Sequence, residues 1–120
     1  MDKSAKAYVT CALWSSNDES TPQGGEPLDA NYTAADIAPE TLETMLADCA
    51  RFQAENAEDI AIEPERAGHD FWLTRNGHGS GFFDGDWPND VGDRLTAAAH
   101  RFHEFVLFIG DDGLIHGCRG

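Results

Sequence analysis

Five histidines, three cysteines and a glycine-rich run hold most of the chemistry available to this 120-residue chain. His69, His78, His100, His103 and His116 could ligate a metal or move a proton, but no HxH or HExxH spacing occurs among them. His100 and His103 can share a helix face at i, i+3, yet no Cys or carboxylate stands at ligand spacing. They read as charged residues near a helix end. Asn76-Gly-His-Gly-Ser-Gly81 has the glycines of a phosphate cradle. It lacks the Gly-Lys-Ser/Thr of a P-loop, and no helix follows to aim N–H groups at an anion, so a hairpin turn with small strand residues is the better reading. Asp84-Gly-Asp86-Trp-Pro-Asn89-Asp90 places carboxylates at alternate positions, as a calcium loop does. Asn89 stands where that loop needs glycine, Pro88 where it needs a ligand and Leu95 where it needs glutamate, which leaves a capped acidic turn. No metal site and no cofactor are predicted.

His69 and Asp84 are expected to face each other across a hairpin, with Ser80 the nearest formal nucleophile. Ser80 belongs to a different rung of the ladder, so a cross-strand hydrogen bond accounts for the pair and no enzyme is predicted. Phe71, Trp72, Phe82, Phe83 and Trp87 could stack bases beside Arg66 and Arg75. A small domain spends most of its aromatics on its core, and that use is preferred. A small-ligand or metal-binding module on the 69–84 hairpin, using His69, Trp72 and His78, remains the second functional reading. Cys11, Cys49 and Cys118 are odd in number, widely spaced and without a CxxC pair; they are expected to be reduced and mostly buried.

The chain carries 22 Asp and Glu against 8 Lys and Arg, a formal charge of −14. Such a balance repels nucleic-acid phosphates and anionic headgroups, which excludes direct nucleic-acid or membrane-surface binding. The longest apolar run, Phe105–Ile109, is too short to span a bilayer, and Met1–Lys6 leads into no signal-peptide core, so a cytosolic protein is expected. The charge is unevenly spread. Residues 17–65 hold thirteen acids and only Arg51, a net of −12, whereas residues 1–16 are +1 and residues 66–120 are −3. This asymmetry marks an interaction surface. Asp18, Glu19, Glu26, Asp48, Glu55, Glu58 and Asp59 are its candidate partner-binding residues, and a basic groove that normally holds nucleic acid is the complementary surface.

One domain, 1–120, must position these groups, as an acidic loop-and-helix segment (17–65) and a hairpin-helix-hairpin body (66–120). Ala7, Tyr8, Cys11, Ala12 and Trp14 recur at helical spacing and predict a first helix, with Tyr8, Cys11 and Leu13-Trp14 facing inward. Polar residues from Ser16 to Asn31 predict a long surface loop. Thr33-Ala-Ala-Asp36 has capping-box spacing and predicts one helical turn before Pro39. Pro39 suits the first position of a second helix whose stripe is Leu42, Met45, Leu46, Cys49, Phe52 and Asn56, and which should end near Glu63 because Pro64 follows. Asn76-Gly77 predicts a hairpin that pairs Arg75 with His78, Leu73 with Ser80, Phe71 with Phe82 and His69 with Asp84, and sets Trp72 opposite Gly81. A third helix, capped by Asn89 or Asp90, carries Val91, Leu95, Ala98, Phe102 and Phe105 on one stripe. Phe105–Ile109, a Gly110–Gly113 turn and Leu114–Cys118 close the chain as a second hairpin. The expected fold is α+β: two N-terminal helices, then β-hairpin, helix and β-hairpin, forming a four-stranded antiparallel sheet packed on helices.

The stretch His69-Asp-Phe-Trp-Leu-Thr-Arg-Asn-Gly-His-Gly-Ser-Gly-Phe-Phe-Asp84, followed by Gly92-Asp-Arg-Leu-Thr96 and Gly110-Asp-Asp-Gly113, resembles a family of small bacteriophage and prophage accessory proteins of uncharacterised role. Ala12-Leu-Trp-Ser-Ser16 and Gly25-Glu-Pro-Leu-Asp29 also look like that family, so the resemblance covers most of the chain. It carries over no functional residues. What it implies is a phage accessory protein acting in the host bacterial cytoplasm. By analogy, small acidic phage proteins include anti-CRISPR and anti-restriction inhibitors, some of which imitate DNA in charge alone. The expectation is a non-enzymatic phage inhibitor whose DNA-like acidic face occupies a host nucleoprotein complex.

Overall fold

A computed structural model describes residues 1–20 and 25–119. Helix α1 spans Lys3–Ser15, and Asp2 caps it by accepting a 2.8 Å hydrogen bond from the Ala5 N–H. Its buried side includes Ala5, Tyr8, Val9 and Ala12, with Leu13 beside them, while Lys6, Thr10 and Trp14 lie four residues apart on the solvent side. Trp14 is therefore exposed, not inward as expected. The predicted 16–31 loop folds its ends into a short ribbon, β1 (Asn17–Asp18) against β2 (Glu26–Pro27); its middle, residues 21–24, lies outside the described residues. Two 3₁₀ turns follow, Leu28–Ala30 and Ala34–Asp36. The second carries the predicted capping box, with the Ala35 N–H donating to Thr33 Oγ1 and the Thr33 N–H to Asp36 Oδ2.

Helix α2 runs Pro39–Glu55 with its proline in the first turn. Met45, Cys49 and Phe52 are buried, and Leu42 and Leu46 pack half-buried on the core, as the stripe predicts. The helix stops earlier than expected because Asn56 leaves helical geometry (φ −129°, ψ 24°) and turns its side-chain amide back onto the Phe52 carbonyl. A single turn, α3 (Ala57–Ile60), follows.

The largest departure is between residues 64 and 84. Pro64 begins a helix, α4 (Pro64–Arg75), where the sequence predicts the approach to a hairpin. Ala67, Gly68 and every residue from Asp70 to Arg75 are buried, so the helix is surrounded and lacks the one-sided stripe that marks a surface helix. Asn76-Gly77 closes this helix instead of a hairpin. The Gly77 N–H donates to Thr74 O at 3.2 Å and the His78 N–H to Leu73 O at 3.1 Å, with Gly77 at φ +68°. This is the paired C-terminal cap that, like a tight hairpin turn, calls for glycine in the left-handed region. None of the four predicted cross-strand pairs forms, nor does Trp72 face Gly81 across a ladder. Phe71 and Phe82 meet indirectly, both packing on Phe52 at ring separations of 4.1 and 5.7 Å. Irregular chain then leads to α5 (Asn89–His100), at whose N-cap stands Pro88 rather than Asn89 or Asp90.

Val91, Leu95, Ala98 and Phe102 are buried as the third stripe requires. Phe105 instead opens β3 (Phe105–Ile109), which pairs antiparallel with β4 (Ile115–Arg119) in the register Phe105 to Arg119 and Ile109 to Ile115. The turn between them closes through Gly113 N–H to Gly110 O at 3.0 Å, with Gly113 at positive φ as expected. Among the described residues the strands thus form two separate two-stranded ribbons and the helices number five. The fold is α+β, but the expected four-stranded sheet is overturned, because the residues assigned to its first hairpin form α4 and the loop after it.

At the centre, α4 lies against α1 so closely that a methyl group on Gly68 would overlap the Ser4 carbonyl. Around this crossing stand Tyr8, Phe52, Phe71, Phe82 and Phe102. Phe71 stacks on Phe52 and meets Phe102 edge-on at 5.0 Å, contacts worth about 0.5–1.5 kcal/mol each beyond simple burial. Cys11 and Cys49 sit in the same interior, where burial pushes both thiols up to about 12; Cys118 is exposed, contrary to the expected burial. Ellman's reagent should therefore modify one thiol rapidly in the native protein and three after denaturation. Rapid reaction of two or three native thiols would contradict this packing.

Candidate functional site

The seven acidic residues singled out from the sequence reach different environments. Asp18 accepts from the backbone and hydroxyl of Ser20, bonds that hold its carboxyl below the usual range. Glu19 is exposed, and Glu26 accepts from the Asn31 side chain at 3.1 Å. Asp48 is not on the surface. It is a buried residue of α2, and it meets Arg75 Nη1 at 2.9 Å and Arg119 Nη2 at 3.3 Å. Arg75 is itself fully buried and also donates to Tyr8 Oη, Phe102 O and His103 O. One guanidinium thus joins α1, α2 and α4 to the chain leaving α5. Burial pushes the Tyr8 phenol well above its usual value, against the pull of Arg75. Among the described residues every buried side-chain nitrogen and oxygen has a partner.

Glu55, Glu58 and Asp59 do come together. The α2–α3 corner brings them to the rim of one depression of about 380 Å³, which Arg94 of α5 also lines. Arg94 grips Asp59 with two hydrogen bonds, Nε at 2.9 Å and Nη2 at 2.8 Å, and reaches Asp90 at 3.4 Å. These bonds hold the Asp59 carboxyl below its usual range, so it is ionised at neutral pH. Glu55 takes a single bond from Arg51, and Glu58 is exposed. A second exposed guanidinium makes its own cluster, as Arg66 joins Glu63 at 2.6 Å to Asp86 at 3.1 Å. Through Arg94, Asp90 joins a face that the sequence assigns to residues 17–65 alone. The spacing of Asp90 to Arg94 is readable as a helical ion pair; Glu63–Arg66, at the start of a helix the sequence does not predict, and the long-range partners Asp86 and Asp59 are not.

The second predicted site is not assembled as expected. Trp72 is buried with its indole N–H on Ser15 Oγ at 2.8 Å, and His78 is exposed beyond the α4 cap. His69 opens onto a cleft of about 600 Å³ that Lys3, Glu63, Glu65 and Arg66 also line. Its carboxylate partner is the buried Asp70, at 3.2 Å from Nδ1, and not Asp84, which accepts from the Gly81 N–H. Asp70 also takes the Trp87 indole N–H at 2.8 Å. The exposed Trp14 ring stacks beside His69 at 6.1 Å. Among the described residues no three His, Cys, Asp or Glu side chains converge as a metal cage, and no helix is long and apolar enough to cross a membrane.

No family model, curated protein or solved structure matches the chain.

Proposed function

We propose that this chain is a non-enzymatic acidic binding protein that docks the α2–α3 corner on a basic, nucleic-acid-binding groove of a host protein. In the phage setting implied by the sequence resemblance, its action is to block a host defence nucleoprotein complex in the bacterial cytoplasm. The observation that carries the reading is the convergence of Glu55, Glu58 and Asp59 at one depression, extended by Asp90 through Arg94. Asp18, Glu19 and Glu26 form a flanking acidic loop in this reading, and Asp48 leaves the set because it is buried. Carboxylates carried on one helical corner present a set backbone spacing to a row of Lys and Arg, so less chain freedom is lost on docking than from an extended loop. Glu55 and Asp59 each have an arginine partner on this chain, and such solvent-screened surface pairs contribute little. A phosphate-binding groove can therefore displace them at small cost.

The immobilised protein should retain a nucleic-acid-binding partner from host extract at low salt and release it as salt rises. The triple variant Glu55→Gln, Glu58→Gln, Asp59→Asn should weaken retention about tenfold, the equivalent of about 1.4 kcal/mol. Retention of no partner at low salt would sink the reading.

A further inference from the structure

We propose that Arg94 is an autoinhibitory contact of the acidic corner: in the free chain its guanidinium occupies Asp59, and it must leave before a cationic groove can take that carboxylate, a restraint that presupposes the docking role proposed above. Packing brings the two residues together. Asp59 stands on α3 beside the buried Ile60, and Arg94 stands on α5 beside Leu95, which has no exposed surface. A methyl group on Gly92 would come within 2.7 Å of the Phe82 carbonyl oxygen, so the first turns of α5 lie close against the body. The contact itself is the most fully formed at the corner. Arg94 forks across both Asp59 oxygens, Nε to Oδ2 at 2.9 Å and Nη2 to Oδ1 at 2.8 Å, as a charge-assisted bidentate pair does. Arg51, by comparison, gives Glu55 a single bond at 3.3 Å. The Arg94 side chain is 54% exposed and the Asp59 side chain 20%, so a groove approaching Asp59 meets the cation first.

Breaking a solvent-screened pair costs little stability. Its consequence for docking is larger, because the displaced cation stays on α5, at the depression that Glu55, Glu58 and Asp59 rim. Like charges repel by the same distance law that attracts the partner's Lys and Arg, so Arg94 offsets the pull of about one carboxylate. Asp90, one helical turn earlier, already accepts from Arg94 Nη1 at 3.4 Å, and its side chain is 78% exposed. It gives the displaced guanidinium a second position. The corner therefore opens by a side-chain shift from Asp59 to Asp90, without movement of the helices.

The test is binding of an oligo-arginine peptide by the intact chain at about 0.1 M salt, where charges more than about 10 Å apart are largely screened. Arg94→Met should bind the peptide about three- to fivefold tighter than wild type. Lys6→Met removes the same charge from the solvent side of α1 and should change affinity by less than about twofold. Arg94→Lys keeps the cation but cannot fork across both oxygens; it should fall between wild type and Arg94→Met, and it decides the matter if the methionine variant does not fold. No gain in Arg94→Met would overturn the proposal, leaving Arg94 as a brace between α3 and α5. An equal gain in Lys6→Met would also overturn it, since net charge would then account for the effect. The triple variant Glu55→Gln, Glu58→Gln, Asp59→Asn separates the restraint from the docking role. Loss of peptide binding in the triple variant, with Arg94→Met equal to wild type, removes the restraint alone; wild-type binding by the triple variant removes the docking corner and the restraint together.

Discussion

Arg75→Met should lower folding stability by about 3–5 kcal/mol, the cost of leaving a buried charge without its partner. Asp48 would lose its 2.9 Å contact and keep only the longer bond from the exposed Arg119 side chain. The Tyr8 hydroxyl and the Phe102 and His103 carbonyls would lose a donor at the same time. His103 sits in the left-handed region at φ +61°, so part of what Arg75 does is hold a strained residue at the exit of α5. Methionine keeps much of the side-chain volume, which restricts the effect to polar groups. The double variant Arg75→Met, Asp48→Leu should recover part of the loss, because it also removes the orphaned carboxylate. Urea unfolding of the two variants measures both effects. A loss below about 1 kcal/mol for Arg75→Met would mean that the guanidinium does not bind these elements together.

Gly68→Ala is expected to destabilise the protein although helix propensity alone favours it by about 1 kcal/mol. The new methyl would overlap the Ser4 carbonyl, a backbone atom of α1 that cannot turn aside as a flexible side chain can. Separating α1 from α4 disturbs the burial of Tyr8 and Ala12 with it. Overpacking of this kind costs about 1–3 kcal/mol, so the net sign is a loss, and Gly68→Leu should prevent the helices from docking. Gly79→Ala, where the added methyl meets only open space, should change stability by no more than about 0.5 kcal/mol. Equal thermal stability for wild type and Gly68→Ala would contradict the close crossing.

The elements that could be read from sequence were those with one buried side. The stripes of α2 and α5 follow from periodicity, the 105–109 strand from its unbroken apolar run, which was expected to be buried throughout although Val106 and Phe108 are exposed, and the Gly110–Gly113 turn from its glycines. Helix α4 could not be read this way. Its core-facing residues nearly encircle it, its aromatic content resembles a strand, and Pro64, expected to end a helix, begins one. The Asn76-Gly77 pair has two structural uses that both need left-handed glycine, and only tertiary packing decides between them. At the candidate site, Glu55, Glu58 and Asp59 could be found from charge density. Asp48 was misplaced because it borders the Met45–Cys49–Phe52 stripe and its partner Arg75 lies 27 residues away. The Arg66–Asp86 pair and the Arg94–Asp59 link leave no periodic trace, because they join residues 20 and 35 positions apart.

In the function proposed, the acidic α2–α3 corner, and not net charge, meets the partner. Two triple variants with the same total charge test this most directly, in a salt titration of partner binding by the intact chain. One neutralises Glu55, Glu58 and Asp59; the other neutralises the exposed Asp29, Glu104 and Asp111. Binding should weaken about tenfold in the first, with a shallower salt slope, and change little in the second. Equal weakening in both, or none in either, would contradict the account.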